Sequence, residues 1–290
     1  MKKPLFLGVS TALITPYLGN CINYPLVEQL LRRQMDTGIR SVVLAGTTGE
    51  APTLSDEEKI ELFRRSKEYA GKDCQIIAGT GSNSTQHTIK LSIAAQKAGA
   101  DAVLVVAPYY NKGNAEGLYR HFASIAEALS IPVIVYNVPS RTGVDIPVSV
   151  YQQLSYIDNI AGIKEASTDI TKITKIQHIC KNKLPVWSGN DDHIVPVMSL
   201  GGCGVISVLS NILPAETQAM AKAALDGDFD TAAAMQHQLQ PLIDLLFCEV
   251  NPIPVKYAMH HVGFDCGGYR LPLSPPQKET MKKIDTYFSA

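Results

Sequence analysis

Short apolar runs rich in β-branched residues alternate along the chain with longer segments whose apolar positions recur every three or four residues, the periods of a buried strand and of an amphipathic helix. The strand-like runs are Gly8–Thr15, Ser41–Ala45, Gln75–Gly79, Ala102–Ala107, Pro132–Asn137, Gly162–Lys164, Pro185–Ser188 and Gly204–Val208. The helical period appears in Pro25–Gly38, Ser55–Ala70, Ser84–Ala98, Ala115–Leu129, a short stretch after Pro147, Ile170–Cys180, a turn at Ile194–Leu200, and Pro214–Leu225. In the first of these Leu26, Leu30, Leu31 and Met35 share one face. Ser55, with Glu58 three residues on, reads as a capping box that starts the second helix. Eight strand–helix units are the count at which a parallel sheet closes on itself, so residues 1–225 are predicted to form an α/β fold, a (β/α)8 TIM barrel. No Gly-x-Gly-x-x-Gly follows the first run, which argues against an open dinucleotide-binding sheet. Residues 226–290 continue the helical period at Phe229–Phe247, Pro254–His261 and Pro275–Phe288. They are predicted to form a C-terminal helical segment packed on the barrel, because no Pro/Gly/Ser-rich linker detaches them.

Composition narrows the partners. The 290 residues are 46% hydrophobic and 18% charged, with a formal net charge of -1, so there is no field to draw a polyanion. Neither nucleic acid nor an anionic membrane is an expected partner; a small substrate is. Six cysteines stand far apart, without a Cys-x-x-Cys pair, which predicts free thiols in a reducing compartment and neither a disulfide framework nor a zinc site. Met-Lys-Lys-Pro followed by Leu5–Ile14 has the look of a secretory leader, yet Gly8, Ser10 and Thr11 interrupt it and no Ala-x-Ala follows. It reads as the first strand, and no run approaches the roughly 20 apolar residues of a membrane span. A cytoplasmic location is expected.

In a closed β/α barrel, reactive groups sit just past the strands. The sixth run, within Ile160–Ser167, ends on a lone lysine, Lys164. Desolvation disfavours an ammonium, so a lysine there can lose its proton near neutral pH and attack a carbonyl carbon. After the second run comes Gly46-Thr47-Thr48-Gly49-Glu50, a turn whose hydroxyls and backbone N–H groups can converge on a carboxylate or phosphate. Pro108-Tyr109-Tyr110-Asn111 follows the fourth run, and Tyr136-Asn137-Val138-Pro139-Ser140-Arg141-Thr142 the fifth. A phenol beside a lysine can pass protons, and an arginine fork suits a carboxylate. Hydroxyls, phenols, a guanidinium and a lysine converging on one mouth point to Schiff-base chemistry on a small oxo acid.

These stretches, with Gly162-Ile163-Lys164-Glu165, Ser188-Gly189-Asn190-Asp191, Asn251-Pro252-Ile253-Pro254-Val255-Lys256 and Leu271-Pro272-Leu273, resemble the dihydrodipicolinate synthase family over the full chain. That family belongs to the pyruvate-dependent class I aldolases, a group that includes N-acetylneuraminate lyase. The resemblance implies that Lys164 forms an imine with pyruvate and that Tyr136 relays protons. It implies that Thr47 links Tyr136 to Tyr110, which reaches into a neighbouring subunit's site, and that Thr48 holds the pyruvate carboxylate. Arg141 would receive the carboxylate of L-aspartate 4-semialdehyde, with Gly189 and Ile206 lining the site through backbone carbonyls. A homotetramer built as a dimer of dimers and a reaction in diaminopimelate and lysine biosynthesis, with no cofactor and no metal, are likewise implied. Responsive members bind lysine in a cleft beside Tyr109 and Asn83. Here His87 stands at the carboxylate position and Lys59 at a histidine position, so insensitivity to lysine is expected.

The alternatives are another pyruvate-dependent aldolase, of the N-acetylneuraminate lyase or 4-hydroxy-2-oxo acid type, a catalytically silent oxo-acid-binding barrel, and a pyridoxal phosphate enzyme. The Arg-Thr-Gly after the fifth run favours an acidic aldehyde over a sugar. Asp191-Asp192-His193 reads as a helix N-cap in preference to a metal site. His260-His261 reads as a packed or solvated pair, and Gly201-Gly202-Cys203-Gly204 as a close turn lining the site.

Overall fold

A computed structural model of the chain describes residues 2–289. The eight apolar runs form strands β1 (Gly8–Ala12), β2 (Ser41–Leu44), β3 (Gln75–Gly79), β4 (Ala102–Val106), β5 (Val133–Asn137), β6 (Ile160–Glu165), β7 (Val186–Ser188) and β8 (Gly204–Ser207). Each pairs in parallel with its neighbours, and β8 returns to β1, closing the barrel. Almost every strand residue is buried because one side faces the barrel interior and the other faces the helices, which is why the runs are continuous and not alternating.

Val43, Ile77, Leu104, Ile134, Tyr136, Trp187 and Ile206 pack inside the barrel. The larger cluster, including Val42, Ile76, Val103, Val135 and Ile163, lies between strands and helices. Gly162 on β6 makes the interior possible, since a Cβ there would sit 2.6 Å from the Trp187 ring and 2.5 Å from the Pro185 carbonyl oxygen. Phe6 stacks on Trp187 at 4.8 Å between centroids, and the indole N–H donates to the Phe6 carbonyl at 3.2 Å. This pair plugs the strands' N-terminal end.

The helices follow the predicted ranges, with the Ser55–Glu58 capping box formed in both directions. Two of the elements that the structure adds bear on the site. Strand β1 stops at Ala12, short of the Thr15 expected for the first run, and beyond it Tyr17–Leu18 pairs antiparallel with Cys21–Ile22 in a small hairpin. Pro139–Thr142 forms one helical turn that carries Arg141, with Pro at its start and Gly143 at φ +66° past its end. The stretch Gly201–Gly204 departs from expectation: it precedes β8, and a Cβ on Gly204 would lie 1.8 Å from the Gly8 carbonyl oxygen at the start of β1. It is a close turn, but at the barrel's N-terminal end, away from the mouth. Beyond the barrel, Phe229–Leu246, Ile253–Ala258 and Lys278–Ser289 are helical. No described helix is long and apolar enough to cross a membrane.

Candidate active site at the barrel mouth

Strand register brings the reactive groups together. Tyr136 at the end of β5 pairs directly with Lys164 on β6, and Lys164 with Trp187 on β7. Residues opposite one another in a parallel ladder point the same way, so all three enter the interior. The Lys164 Nζ lies 4.4 Å from the centroid of the Tyr136 ring. Burial lowers the Lys164 pKa from 10.5 to about 7, with the Asp191 carboxylate opposing the shift and the Arg141 guanidinium assisting it. Neutral amine is therefore abundant near physiological pH. Burial and the Glu165 charge raise the Tyr136 phenol, against Arg141 and a hydrogen bond with the Thr47 side chain. The phenol keeps its proton and can lend it.

Space around the lysine depends on Gly189, where a Cβ would stand 3.1 Å from Lys164 Cε and 2.6 Å from Ala166 Cβ. Its N–H donates to the Glu165 carbonyl at 2.7 Å. Behind β5 and β6, the Glu165 carboxylate accepts from Asn137 Nδ2 at 2.7 Å, the Tyr151 hydroxyl at 3.1 Å and the Ser167 N–H at 2.9 Å. Lys172, 3.7 Å from Glu165 and also paired with Asp145, balances that charge. This outward network pins the two strand ends that present Tyr136 and Lys164.

A cavity of about 610 Å³ is lined by Thr47, Tyr136 and Arg141 together with Asp56, Lys59, Asn83, His87 and Tyr109. Thr48 is buried and accepts from Asn251 Nδ2 at 3.0 Å. Arg141 donates through Nη2 to the Asn251 carbonyl at 3.2 Å. Ile206 faces the barrel interior from β8. Tyr110 stands apart: at φ +69° and 90% exposed, it points out of its own chain.

A model of the Dihydrodipicolinate synthetase family matches residues 5–290. The chain is 47% identical over 272 residues to the 4-hydroxy-tetrahydrodipicolinate synthase of Lachnoclostridium phytofermentans, covering 93% of this chain and 92% of that protein. It is 46% identical over 274 residues to the synthase of Acetivibrio thermocellus, at 94% and 93% coverage. The chain belongs to the dihydrodipicolinate synthetase family. Among solved structures, the chloride-inhibited dihydrodipicolinate synthase of Acinetobacter baumannii complexed with pyruvate superimposes with a TM-score of 0.95 at 40% identity, over 98% of each chain.

Three contributors to this family site escaped the sequence reading. Asp191 does not cap a helix of its own segment; buried at the end of the β7 loop, it accepts from the Val208 and Leu209 N–H groups, each at 2.9 Å, and so caps the turn after β8. Asn251 and Glu165 stood inside recognised motifs without a role. Their partners lie up to 203 positions away, and no local spacing reveals such contacts. The His261 Nε2–H donates to the Asp285 carboxylate at 2.9 Å and its ring stacks on Phe288, in keeping with the reading of His260-His261 as a packed or solvated pair. Among the described residues no His, Cys, Asp or Glu cluster is arranged to hold a metal.

Proposed function

We propose that this enzyme condenses pyruvate with L-aspartate 4-semialdehyde to 4-hydroxy-tetrahydrodipicolinate, with Lys164 as the Schiff-base residue. The observation that carries the reading is the buried Lys164 amine, held at a pKa of about 7 beside a protonated phenol. The relatives' names supply the substrates. Lys164 Nζ attacks the pyruvate carbonyl carbon, and Tyr136 returns a proton to the oxygen as it leaves as water. The iminium draws electrons from the adjacent C–H bond, the methyl group loses a proton, and the enamine carbon forms a bond to the aldehyde carbon. The aldehyde oxygen takes up a proton and becomes a hydroxyl. The substrate's own amino group then attacks the imine carbon, closing the ring and expelling the lysine.

In this reading Thr48 holds the pyruvate carboxylate, Arg141 the carboxylate of the aldehyde, and the Gly189 and Ile206 carbonyls line the site. Thr47 passes protons between Tyr136 and a neighbour's Tyr110, and the working form is a homotetramer, a dimer of dimers. The exposure of Tyr110 on a left-handed backbone supports a role outside its own chain. Six unpaired thiols support a cytoplasmic setting. Arg141 tests the substrate assignment. Arg141→Ala should still form the pyruvate imine but raise the barrier to condensation by about 2–4 kcal/mol, because a second carboxylate loses its bidentate partner. Unchanged condensation would overturn the choice of aldehyde.

Insensitivity to lysine is part of the proposal. His87 Nε2 lies 2.7 Å from Asp56 Oδ2, and Lys59 Nζ lies 3.8 Å from Asp56 Oδ1. The acidic group that lines the cavity is already engaged by the chain's own cation. Initial rates at saturating and limiting pyruvate should stay flat up to several millimolar lysine, and strong submillimolar inhibition would refute this.

A further inference from the structure

Asn251 lies in the turn between the helices Phe229–Leu246 and Ile253–Ala258, outside the barrel strands, yet only 6% of it is exposed. Its side-chain amide donates to the Thr48 hydroxyl oxygen at 3.0 Å, while its backbone carbonyl accepts from Arg141 at 3.2 Å. One residue of the C-terminal segment thus touches both groups assigned to the substrates' carboxylates. The turn is anchored to the Thr48 loop by a second link. Lys256 reaches Glu50 at 2.6 Å and the Gly268 carbonyl at 2.7 Å, with its ammonium 4.1 Å from the centroid of the Tyr17 ring.

The direction of the Asn251–Thr48 bond has a chemical consequence. A hydroxyl has one proton to give and two lone pairs with which to accept. When a lone pair of Thr48 is occupied by an amide N–H, the hydroxyl proton is left for another acceptor, and among the described residues that hydroxyl makes no second hydrogen bond. We propose that Asn251 is a positioning residue that fixes the polarity of the Thr48 hydroxyl, presenting it as a donor to the carboxylate of the oxo-acid substrate. The inference rests on the assignment of that carboxylate to Thr48. Substituting aspartate, which has nearly the same shape but only accepting oxygens when ionised, takes up the Thr48 proton and turns a lone pair toward the substrate. Alanine only leaves the hydroxyl free to rotate.

The test is the pyruvate concentration giving half-maximal borohydride-trapped adduct on Lys164, a readout independent of turnover, alongside KM and kcat. Asn251→Asp should raise that concentration and the pyruvate KM by about tenfold or more, and Asn251→Ala by about two- to fivefold, a spread set by charge-assisted against neutral hydrogen bonds. In Asn251→Ala, kcat at saturating pyruvate should stay within about twofold of the unaltered enzyme, the mark of lost ground-state binding. An aspartate variant that binds pyruvate as well as the alanine variant, or better, would overturn the proposal. Should Asn251→Asp fail to fold, Thr48→Val decides the matter. On that background Asn251→Ala should cause no further loss, since both act through one hydroxyl, and additive losses would count against it. If Thr48→Val leaves pyruvate binding intact, the carboxylate assignment itself falls, and the Asn251 inference with it.

Discussion

Lys164 is the residue on which the account turns, and its titration has consequences for both rate and stability. Desolvation holds the folded-state pKa at about 7, against 10.5 for an ordinary lysine. Imine formation under subsaturating pyruvate should therefore rise with pH through about 7 and level off above 8, as the amine replaces the ammonium. Removing the Asp191 charge should move that midpoint lower, since Asp191 opposes the desolvation. The sign for folding follows from proton counts. Between pH 7 and 10.5 the unfolded chain binds more protons at this position than the folded one, so rising pH favours the fold, by up to about 1.4 kcal/mol per pH unit. Lys164→Met should accordingly be more stable than the unaltered protein in denaturant at pH 7, with the gap narrowing toward pH 10. A gap that widened with pH would show the lysine to be held charged. At this scale the sequence was informative about Lys164, because an apolar run ending on a lone lysine states its own desolvation. It was silent about Asp191, whose role depends on a strand that follows it in the chain.

Elements place these residues, and their legibility tracked their length. The eight strands and the long helices were visible because each spans several periods. The hairpin strands at Tyr17–Leu18 and Cys21–Ile22 are two residues each, too short to show a period of two. The turn Pro139–Thr142 did carry a signal, Pro at its start and Gly143 past its end, in a stretch read only for its arginine. Least visible was the buried pair that ties the C-terminal segment to the turn of residues 46–50. Glu50 and Lys256 have fully buried side chains, 206 positions apart. Lys256→Met should destabilise the fold by about 3–5 kcal/mol, because it leaves the Glu50 charge uncompensated. Glu50→Gln in the same chain should recover much of that loss. Equilibrium denaturation of the single and double variants checks it, and equal losses in the two would contradict the pairing.

The whole molecule is a barrel sealed at one end by Phe6 and Trp187 and dressed at the other by loops and a C-terminal segment. The last barrel helix is Pro214–Leu225, and the C-terminal segment follows it. In function the two parts are less separable, since Asn251 and Lys256 reach into the mouth. Tyr110 bears on the next level of organisation. If it completes a neighbour's site, neither Tyr110→Phe nor Lys164→Ala homo-oligomers should be active. Hybrids should regain some activity, because one site across a dimer then holds both groups. Verified hybrids without recovery would argue for self-contained sites. Assembly was implied by resemblance alone; within one chain the physical sign used for it is a tyrosine that is 90% exposed.

The most direct test is mass spectrometry of the intact protein after borohydride reduction in the presence of pyruvate, followed by peptide mapping. The account predicts one pyruvate-derived addition per chain, located on Lys164 and missing from Lys164→Ala. Reduction that labels a different lysine, or leaves the unaltered protein unlabelled, would contradict it.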